Sequence, residues 1–177
     1  MPIYLKDVDV VPEVAKFKSA LIVLCRFCPA ASLAMRKDKP YIEFFSRFLK
    51  TESYEQLINN MQSRLDKEGL KTDVFKGSLL PMPLNFIICF WNSGQREKLL
   101  KHARQYEAIV VMGCEAAYQS VCKILKSTDC QIIPGMESEG IFEAIPKFRL
   151  PFNISLELSN VIPVLYPEMQ SKTEVSP

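Results

Sequence analysis

The sequence predicts a doubly wound α/β domain whose sheet is mostly parallel. Short apolar runs, of the kind that form strands buried on both faces, occur at residues 20–24, 86–90 and 108–112. Segments with helical periodicity separate these runs, and alternating strands and helices are typical of a parallel sheet with right-handed crossovers. We therefore expect a flavodoxin- or Rossmann-like architecture with an irregular or antiparallel C-terminal edge.

The first half of the chain contains clear helix-start and helix-stop signals. Pro29 suits the first turn of a helix, where its missing N–H costs nothing, and Gly69 is a helix stop. Thr51-Glu52-Ser53 offers N-cap choices for the helix that ends there. The predicted elements of this half are a strand at 20–24, helices at 30–37, 41–49 and 54–68, and a strand at 71–75.

The second half continues the alternation. Asn92 or Ser93 is expected to cap a helix, and Gly113 to form the turn after the strand at 108–112. The predicted elements are a strand at 86–90, a helix at 95–104, a strand at 108–112, a helix at 115–125 and a strand at 130–133.

The pattern changes after Gly140, where extended segments follow one another without helices between them. Residues 141–142, 148–158 and 161–166 are extended, and residues 152–158 alternate between apolar and polar, as in a half-buried strand. Pro151 favours an edge position because proline cannot donate a ladder hydrogen bond.

The composition of the chain indicates which class of protein it belongs to. The 177 residues are 48% hydrophobic and 24% charged, which is typical of one globular domain, predicted here at 1–167 with a flexible tail at 168–177. The net charge of +2 is too small to favour nucleic acid as a partner. We find no apolar run long enough to span a membrane and no basic start followed by an early apolar region, so we expect a cytoplasmic protein.

Cysteines follow two of the predicted strands. Cys25 and Cys28 form a Cys-x-x-Cys pair after the first strand, and Cys114 follows residues 108–112. The carboxyl ends of parallel strands meet at one edge of a sheet, which is where open α/β sheets bind ligands. Thiolates are ligands of zinc and of iron–sulfur clusters. We therefore predict a metal site from these three cysteines, with Cys89 as a possible fourth ligand inside its predicted strand.

Two other interpretations of the cysteines remain open. Cys25 and Cys28 could form a redox pair, since a strand followed by Cys-x-x-Cys and a helix lowers a thiol pKa at the helix N-terminus. The cysteines could also be small apolar core residues, as free cysteine commonly is. The core interpretation is favoured for Cys122 and Cys130, and also for Cys89.

Glycines, acidic residues and one arginine surround the predicted site. The glycines allow close approach of the backbone to a ligand, and the glutamates suit a cation better than a phosphate. No phosphate-binding glycine motif supports a nucleotide. His102 is the only histidine, which removes histidine-based triads. The predicted ligand-binding residues are Arg26, Gly113, Glu115 and a loop that includes Gly135, Met136 and Glu137.

Three stretches together resemble a known family. They are Val23-Leu24-Cys25-x-x-Cys28, the run Tyr106-Glu-Ala-Ile-Val-Val-Met-Gly-Cys114 with Gln119 in the next helix, and a strand ending in Pro134 before a Gly140 loop. They are similar to the small cysteine-rich accessory domain associated with anaerobic methylenetetrahydrofolate reductases. The resemblance implies an accessory module in anaerobic one-carbon or electron-transfer metabolism, whose cysteines hold a metal or an iron–sulfur cluster.

The leading hypothesis is therefore a metal-binding or redox accessory module that acts with a larger metabolic enzyme. The alternative is a metal-free protein that binds a small ligand or supports assembly through the crevice at the strand ends. A stand-alone enzyme would need a recognisable set of acid, base and nucleophile, which the sequence does not present. We also expect a homo-oligomer, because the apolar C-terminal strands exceed what one small sheet covers.

Overall fold

The structure is a computed structural model that describes residues 2–38, 41–43, 51–77, 86–149 and 153–163. The predicted C-terminal tail, 168–177, lies outside these ranges, as do Pro151 and residues 164–166 of the predicted extended segments. In chain order the elements are β1 (Ile3–Asp7), α1 (Val11–Val14), β2 (Ser19–Leu24), α2 (Cys28–Arg36), β3 (Tyr41–Glu43), α3 (Glu52–Lys67), β4 (Lys71–Phe75), a short 3-10 helix (Ile88–Phe90), α4 (Ser93–Ala103), β5 (Ala108–Met112), α5 (Glu115–Ile124), β6 (Gln131–Pro134), β7 (Met136–Arg149) and β8 (Asn153–Pro163).

Four strands form the predicted parallel sheet, in the order β4-β2-β5-β6. The two central strands are β2 and β5, and they pair from Ala20 with Ala108 to Leu24 with Met112. All five residues of β5 are buried. Both strands are apolar along their length because helices cover both faces of the sheet.

The helices divide between the two faces of this sheet. The crossover from β2 to β4 contains α2 and α3, which contact each other, whereas α4 and α5 lie in the next two crossovers and also contact each other. The crossover from β2 to β4 runs in one direction across the sheet, and the crossovers from β4 to β5 and from β5 to β6 run in the opposite direction. Since crossovers are right-handed, α2 and α3 cover one face of the sheet and α4 and α5 cover the other. This arrangement confirms the doubly wound α/β class, and its topological switch point lies between β2 and β5.

Local capping explains where α3 and α4 begin and end. The Thr51 hydroxyl accepts a hydrogen bond from the Tyr54 N–H at 3.3 Å, and the Asn92 side chain accepts from the Gln95 N–H at 3.0 Å. Gly69 follows α3 with a φ of +82°, a conformation that favours glycine. Of the N-cap candidates that the sequence offered, Thr51 and Asn92 are the caps, and the predicted stop at Gly69 is confirmed.

The antiparallel strands form a second sheet, with the order β1-β7-β8-β3. The chain enters it directly after β6, with only Gly135 between β6 and β7. The antiparallel character expected at the C-terminus is therefore present, but not as an edge of the parallel sheet. A strand has two edges, and β7 uses both of them, one for β1 and one for β8.

The helix α2 joins the two sheets. It contacts β1, β3 and β8 as well as α3. The Leu5 N–H of β1 donates to the Ser32 hydroxyl at 2.9 Å, and Arg36 donates to the Leu5 carbonyl at 2.8 Å. Arg36 also pairs with Glu139 of β7 at 2.7 Å. One helix therefore packs between the site-bearing sheet and the antiparallel sheet.

Three local predictions were wrong. Residues 41–43 form β3, which pairs with β8, instead of starting a helix; residues 44–49 of that predicted helix lie outside the described ranges. Residues 86–90 are not a strand but a turn and the 3-10 helix. Their backbone is satisfied locally, since the Phe90 N–H donates to the Ile87 carbonyl at 3.0 Å. The predicted loop after Pro134 is instead the start of β7.

A candidate thiol site at the strand ends

The pairing of β2 with β5 brings Cys25 and Cys114 to the same edge of the sheet. Cys25 directly follows β2, and its N–H donates to the Met112 carbonyl at 2.9 Å. Cys114 follows β5 by two residues and is the N-cap residue of α5. Both cysteines are buried at the topological switch point, where the helices leave toward opposite faces.

Gly113 allows the two cysteine segments to approach closely. A Cβ built on Gly113 would lie 3.0 Å from the Cys25 Cβ and 2.8 Å from the Ala117 Cβ. Real Cβ atoms are essentially never found closer than 3.0 Å, so any larger residue would push β2 and α5 apart. The glycine that the sequence places before Cys114 is thus a packing requirement of the site.

Cys28 and Cys89 come from two further segments. Cys28 is the first residue of α2, ahead of Pro29, and is buried. Cys89 is the middle residue of the 3-10 helix and is exposed. The wrong strand prediction had placed Cys89 inside the sheet, whereas the turn puts it at the edge. The Arg26 N–H holds this segment by donating to the Phe86 carbonyl at 3.0 Å.

The thiols of these four cysteines interact with one another. Hydrogen bonding with the Cys114 sulfur raises the pKa of Cys28 and the pKa of Cys89 far above the usual thiol range, and burial raises both further. Burial also raises the pKa of Cys25 to about 11. The structure therefore brings together the four cysteines that the sequence suggested as metal ligands.

Cys114 has the opposite electrostatic character. Hydrogen bonds from Cys28 and Cys89 lower the pKa of Cys114, and backbone N–H groups of Ala117 and Ala116 in the first turn of α5 lower it further against the effect of burial. These interactions favour the thiolate form of Cys114 over the thiolate forms of Cys28 and Cys89. A thiolate is the nucleophilic and metal-binding form of cysteine.

The four sulfurs suit a soft metal by their chemistry, but they do not surround an ion. Among the residues that the structure describes, no group of three or more His, Cys, Asp and Glu side chains is arranged so that it could hold a metal ion. Thiols that donate hydrogen bonds to a neighbouring sulfur are oriented differently from thiolates that surround a cation. Metal binding at this site would require deprotonation and reorientation of the thiols.

Tyr54 lies directly beneath the site and was missed by sequence reasoning. Its buried hydroxyl donates to the Cys25 carbonyl at 2.9 Å and lies 3.3 Å from the Met112 carbonyl, so it connects the ends of β2 and β5. The signal was available, because Tyr54 precedes Ile58, Met61 and Leu65 at the spacing of one helical face.

Arg26 lies on the loop between Cys25 and Cys28. Its side chain is 5% exposed, and its Nη2 atom lies 3.6 Å from the Glu55 Oε1 atom. Of the predicted ligand-binding residues, Arg26 and Gly113 are thus part of this edge of the sheet.

The other predicted ligand-binding residues have structural contacts of their own. Glu115, in the first turn of α5, is exposed and accepts from Gln119 at 2.6 Å. A Cβ on Gly135 would lie 2.4 Å from the Met112 sulfur, so glycine is needed where the chain leaves the parallel sheet. Met136 and Glu137 pair with β1 of the antiparallel sheet and do not form a ligand-binding loop.

The remaining cysteines and the histidine lie elsewhere. Cys130 is partly buried, and its thiol donates to the carbonyls of Tyr106 and Ala103. Cys122 is partly buried within α5. His102 is only partly exposed and shares a 3.0 Å hydrogen bond with Asp73.

Fold and site together define an α/β protein with a thiol cluster at its switch point. In the described part of the chain, no helix has the length and apolar character needed to cross a membrane. No protein-family model matches the chain, and no curated protein or solved structure matches it significantly.

Proposed function

We propose that the four strand-end cysteines bind a soft metal, either a zinc ion or an iron–sulfur cluster. The observation that carries the proposal is the contact of the Cys114 sulfur with Cys28 and Cys89, which come from two other segments of the chain. Cys25 completes a set of four sulfurs, the number that structural zinc sites and iron–sulfur clusters take.

Metal binding would change the protonation of the site. Cys25, Cys28 and Cys89 are protonated at neutral pH because their pKa values are raised. Cys114 would provide the first thiolate, and the metal would displace protons from the other thiols as they turn toward it. The metal would enter from the side of the site where Cys89 is exposed.

We further propose that the protein is a cytoplasmic accessory module of anaerobic one-carbon or electron-transfer metabolism. This step depends on the resemblance of the cysteine-bearing stretches alone. Its partner would be a larger metabolic enzyme or a second copy of the chain. A reducing compartment suits unpaired thiols, one of which is exposed.

Elemental analysis combined with a visible absorption spectrum tests the metal proposal. The protein is purified anaerobically without chelators, both as the wild type and as the Cys25→Ser/Cys28→Ser double variant. The expected result is near-stoichiometric zinc or iron in the wild type and its loss in the double variant. A Cys122→Ser/Cys130→Ser variant is the matched control, since these cysteines lie outside the cluster.

A metal-free, colourless wild type with reduced thiols would overturn the metal proposal. So would equal loss of metal from the control variant. A metal-free wild type would favour the alternative function, a crevice that takes a small ligand or partner. That alternative predicts that replacing Cys25, Cys28 and Cys114 by serine leaves ligand or partner binding intact.

The lowered pKa of Cys114 favours a second candidate, thiol–disulfide exchange. The Cys114 thiolate would attack a disulfide of a partner, and Cys28 or Cys89 would then attack the mixed disulfide. Cys114 and the resolving cysteine form a disulfide and lose two electrons, the resolving thiol gives up its proton, and the partner disulfide is reduced to one thiol and one thiolate. Mass spectrometry after oxidation by glutathione disulfide tests this: a Cys28–Cys114 or Cys89–Cys114 disulfide is expected, and its absence would exclude the exchange.

A further inference from the structure

A cavity of about 250 Å³ lies between β4 and α4. Phe75 ends β4 and lines the cavity together with the next two residues, Lys76 and Gly77, whereas Lys98 and His102 line it from α4. Since β4 runs parallel to β2, the cavity reaches the edge of the sheet at which open α/β proteins bind ligands. None of the described residues that line it is a cysteine, so it is separate from the thiol site.

A hydrogen-bonded pair of Asp73 and His102 joins β4 to α4 at this cavity. The His102 Nε2 atom lies 3.0 Å from the Asp73 Oδ2 atom, and the Tyr106 hydroxyl donates to the same oxygen at 3.3 Å. The Val74 N–H donates to the Asp73 Oδ1 atom at 2.7 Å. Burial raises the pKa of Asp73, but hydrogen bonds from the Val74 N–H and from His102 outweigh that effect and lower it. Asp73 is therefore a carboxylate that holds the histidine ring.

The second ring nitrogen of His102 is available to a ligand. An ionised carboxylate only accepts hydrogen bonds, so the Nε2 atom must donate to Asp73. Among the described residues, none is hydrogen-bonded to the Nδ1 atom. The side chain of His102 is 37% exposed, and its ring lies between those of Phe75 and Tyr106, whose centroids are 5.8 Å and 5.7 Å away. The cavity thus contains an oriented imidazole with one free nitrogen.

The charges around the cavity favour an anion. Lys76 and Lys98 line it, and Asp73 is the one acidic residue among the described lining residues. These residues include no arginine, whose planar fork suits a carboxylate. A lysine is a point charge, so it rewards the charge of a ligand more than a planar shape. A phosphate, which can carry two negative charges, fits this lining better than a single carboxylate.

We propose that this cavity binds the phosphate group of a small ligand, held by the charges of Lys76 and Lys98 and by a hydrogen bond to His102. The Nδ1 atom can accept from the hydroxyl of a phosphate monoanion or, when protonated, donate to the dianion. Gly77, with a φ of +69°, has no side chain and allows close approach of the ligand to the backbone. The volume suits free phosphate or a small phosphate monoester. The site is independent of the metal proposal.

The fluorescence of Trp91 measures binding. Trp91 is the only tryptophan, and its ring centroid lies 5.6 Å from that of Phe75, which lines the cavity. The full chain, reduced and free of metal, is titrated with inorganic phosphate and with glycerol 3-phosphate at constant ionic strength, since salt screens exposed charges. We expect a saturable change with a millimolar dissociation constant. Lys76→Gln and Lys98→Gln should each weaken binding about fivefold, as for the loss of one exposed ion pair.

Lys101→Gln is the matched control. It removes the same charge from the same helix, but Lys101 does not line the cavity, so affinity should change by less than about twofold. Acetate is the control ligand and should bind at least about tenfold more weakly than phosphate, because it carries one charge. Nitrogen NMR of the imidazole gives a second readout, because His102 is the only histidine. Phosphate should shift its Nδ1 resonance more than its Nε2 resonance.

The outcomes decide the inference and identify the source of the phosphate group. Absence of saturable binding by either probe overturns the inference. Equal effects of Lys98→Gln and Lys101→Gln, or equal affinities for acetate and phosphate, show non-specific attraction and also overturn it. Histidine resonances that stay unchanged at saturation place the phosphate elsewhere, with the same consequence. If the inference holds, tighter binding of glycerol 3-phosphate indicates a monoester ligand, whereas tighter binding of inorganic phosphate indicates the free ion.

Discussion

The cysteines at the strand ends differ in protonation although they are chemically the same. Cys25 is buried among apolar atoms and stays a thiol, because burial disfavours the charged form. Cys114 lies at the N-terminus of α5 and accepts hydrogen bonds from neighbouring thiols, which favours the thiolate. Position within the fold, not residue type, therefore decides which sulfur is reactive.

These pKa shifts predict that zinc binding depends on pH. Cys25, Cys28 and Cys89 have raised pKa values and must lose protons when they bind, so apparent affinity should increase as pH rises from 6 to about 8. Calorimetric titration with zinc in buffers of different ionisation enthalpy measures the proton release. Affinity that is independent of pH over this range would contradict the assignment of three protonated thiols.

A glycine determines the distance between two of the cysteines. Gly113→Ala would place a Cβ 2.8 Å from Ala117 and 3.0 Å from Cys25, and we expect it to cost about 1–3 kcal/mol of unfolding free energy. Urea denaturation measures the change. Gly94→Ala is the control, since its Cβ would meet only Asn92 at 3.5 Å. Equal stability of the two variants would show that the neighbours of Gly113 accommodate the added Cβ without loss of stability.

At the scale of elements, the cysteines depend on how segments are anchored to one another. The Tyr54 hydroxyl of α3 connects the ends of β2 and β5. Ser32 of α2 accepts from Leu5 of β1 and donates to the Cys28 carbonyl at 2.8 Å. One helix thus joins the antiparallel sheet to the first turn that carries Cys28.

Ser32→Ala tests this anchor. It leaves the buried Leu5 N–H without its acceptor, which should cost about 1–3 kcal/mol of stability. Ser120→Ala is a matched control, since Ser120 also donates to a carbonyl four residues earlier in its helix but in an exposed hydrogen bond, and its loss should be nearly neutral. Thermal and urea unfolding compare the two variants. A neutral Ser32→Ala would mean that another acceptor replaces the hydroxyl.

The elements that the sequence predicted well are those with a strong local signal. The strand 108–112 matches β5 in every residue, and the predicted stop at Gly69 follows α3. The run at 86–90 has the same apolar character but forms a turn and a 3-10 helix, and none of the described strands pairs with it. Pairing partners are distant in the chain, so apolar character alone cannot distinguish a strand from a buried turn.

At the scale of the whole molecule, the two sheets share one core. Leu5 of β1, Phe142 of β7 and Leu158 of β8 belong to the same buried cluster as the strands of the parallel sheet. Because α2 packs between the sheets, separating them would expose apolar surface on both sides. The antiparallel sheet is therefore part of what holds Cys28 in place.

This shared core predicts a single cooperative unfolding transition. Trp91, the only tryptophan, is buried against Phe75 of β4 and reports on the parallel sheet, whereas far-ultraviolet circular dichroism reports on both sheets. The two signals should change together in urea, with thiols reduced and metal removed. A dichroism signal that persists after the tryptophan transition would show that the antiparallel sheet is an independent unit.

The sequence by itself determined the class of the fold and the place of Cys25, Cys28 and Cys114, because apolar runs and the residues that end them act locally along the chain. Tertiary structure alone decided that Cys89 joins this group, that the C-terminal strands form their own sheet, and that Arg26 meets Glu55. These features depend on contacts between segments far apart in sequence. Tertiary packing determines such contacts, and local sequence patterns do not predict them.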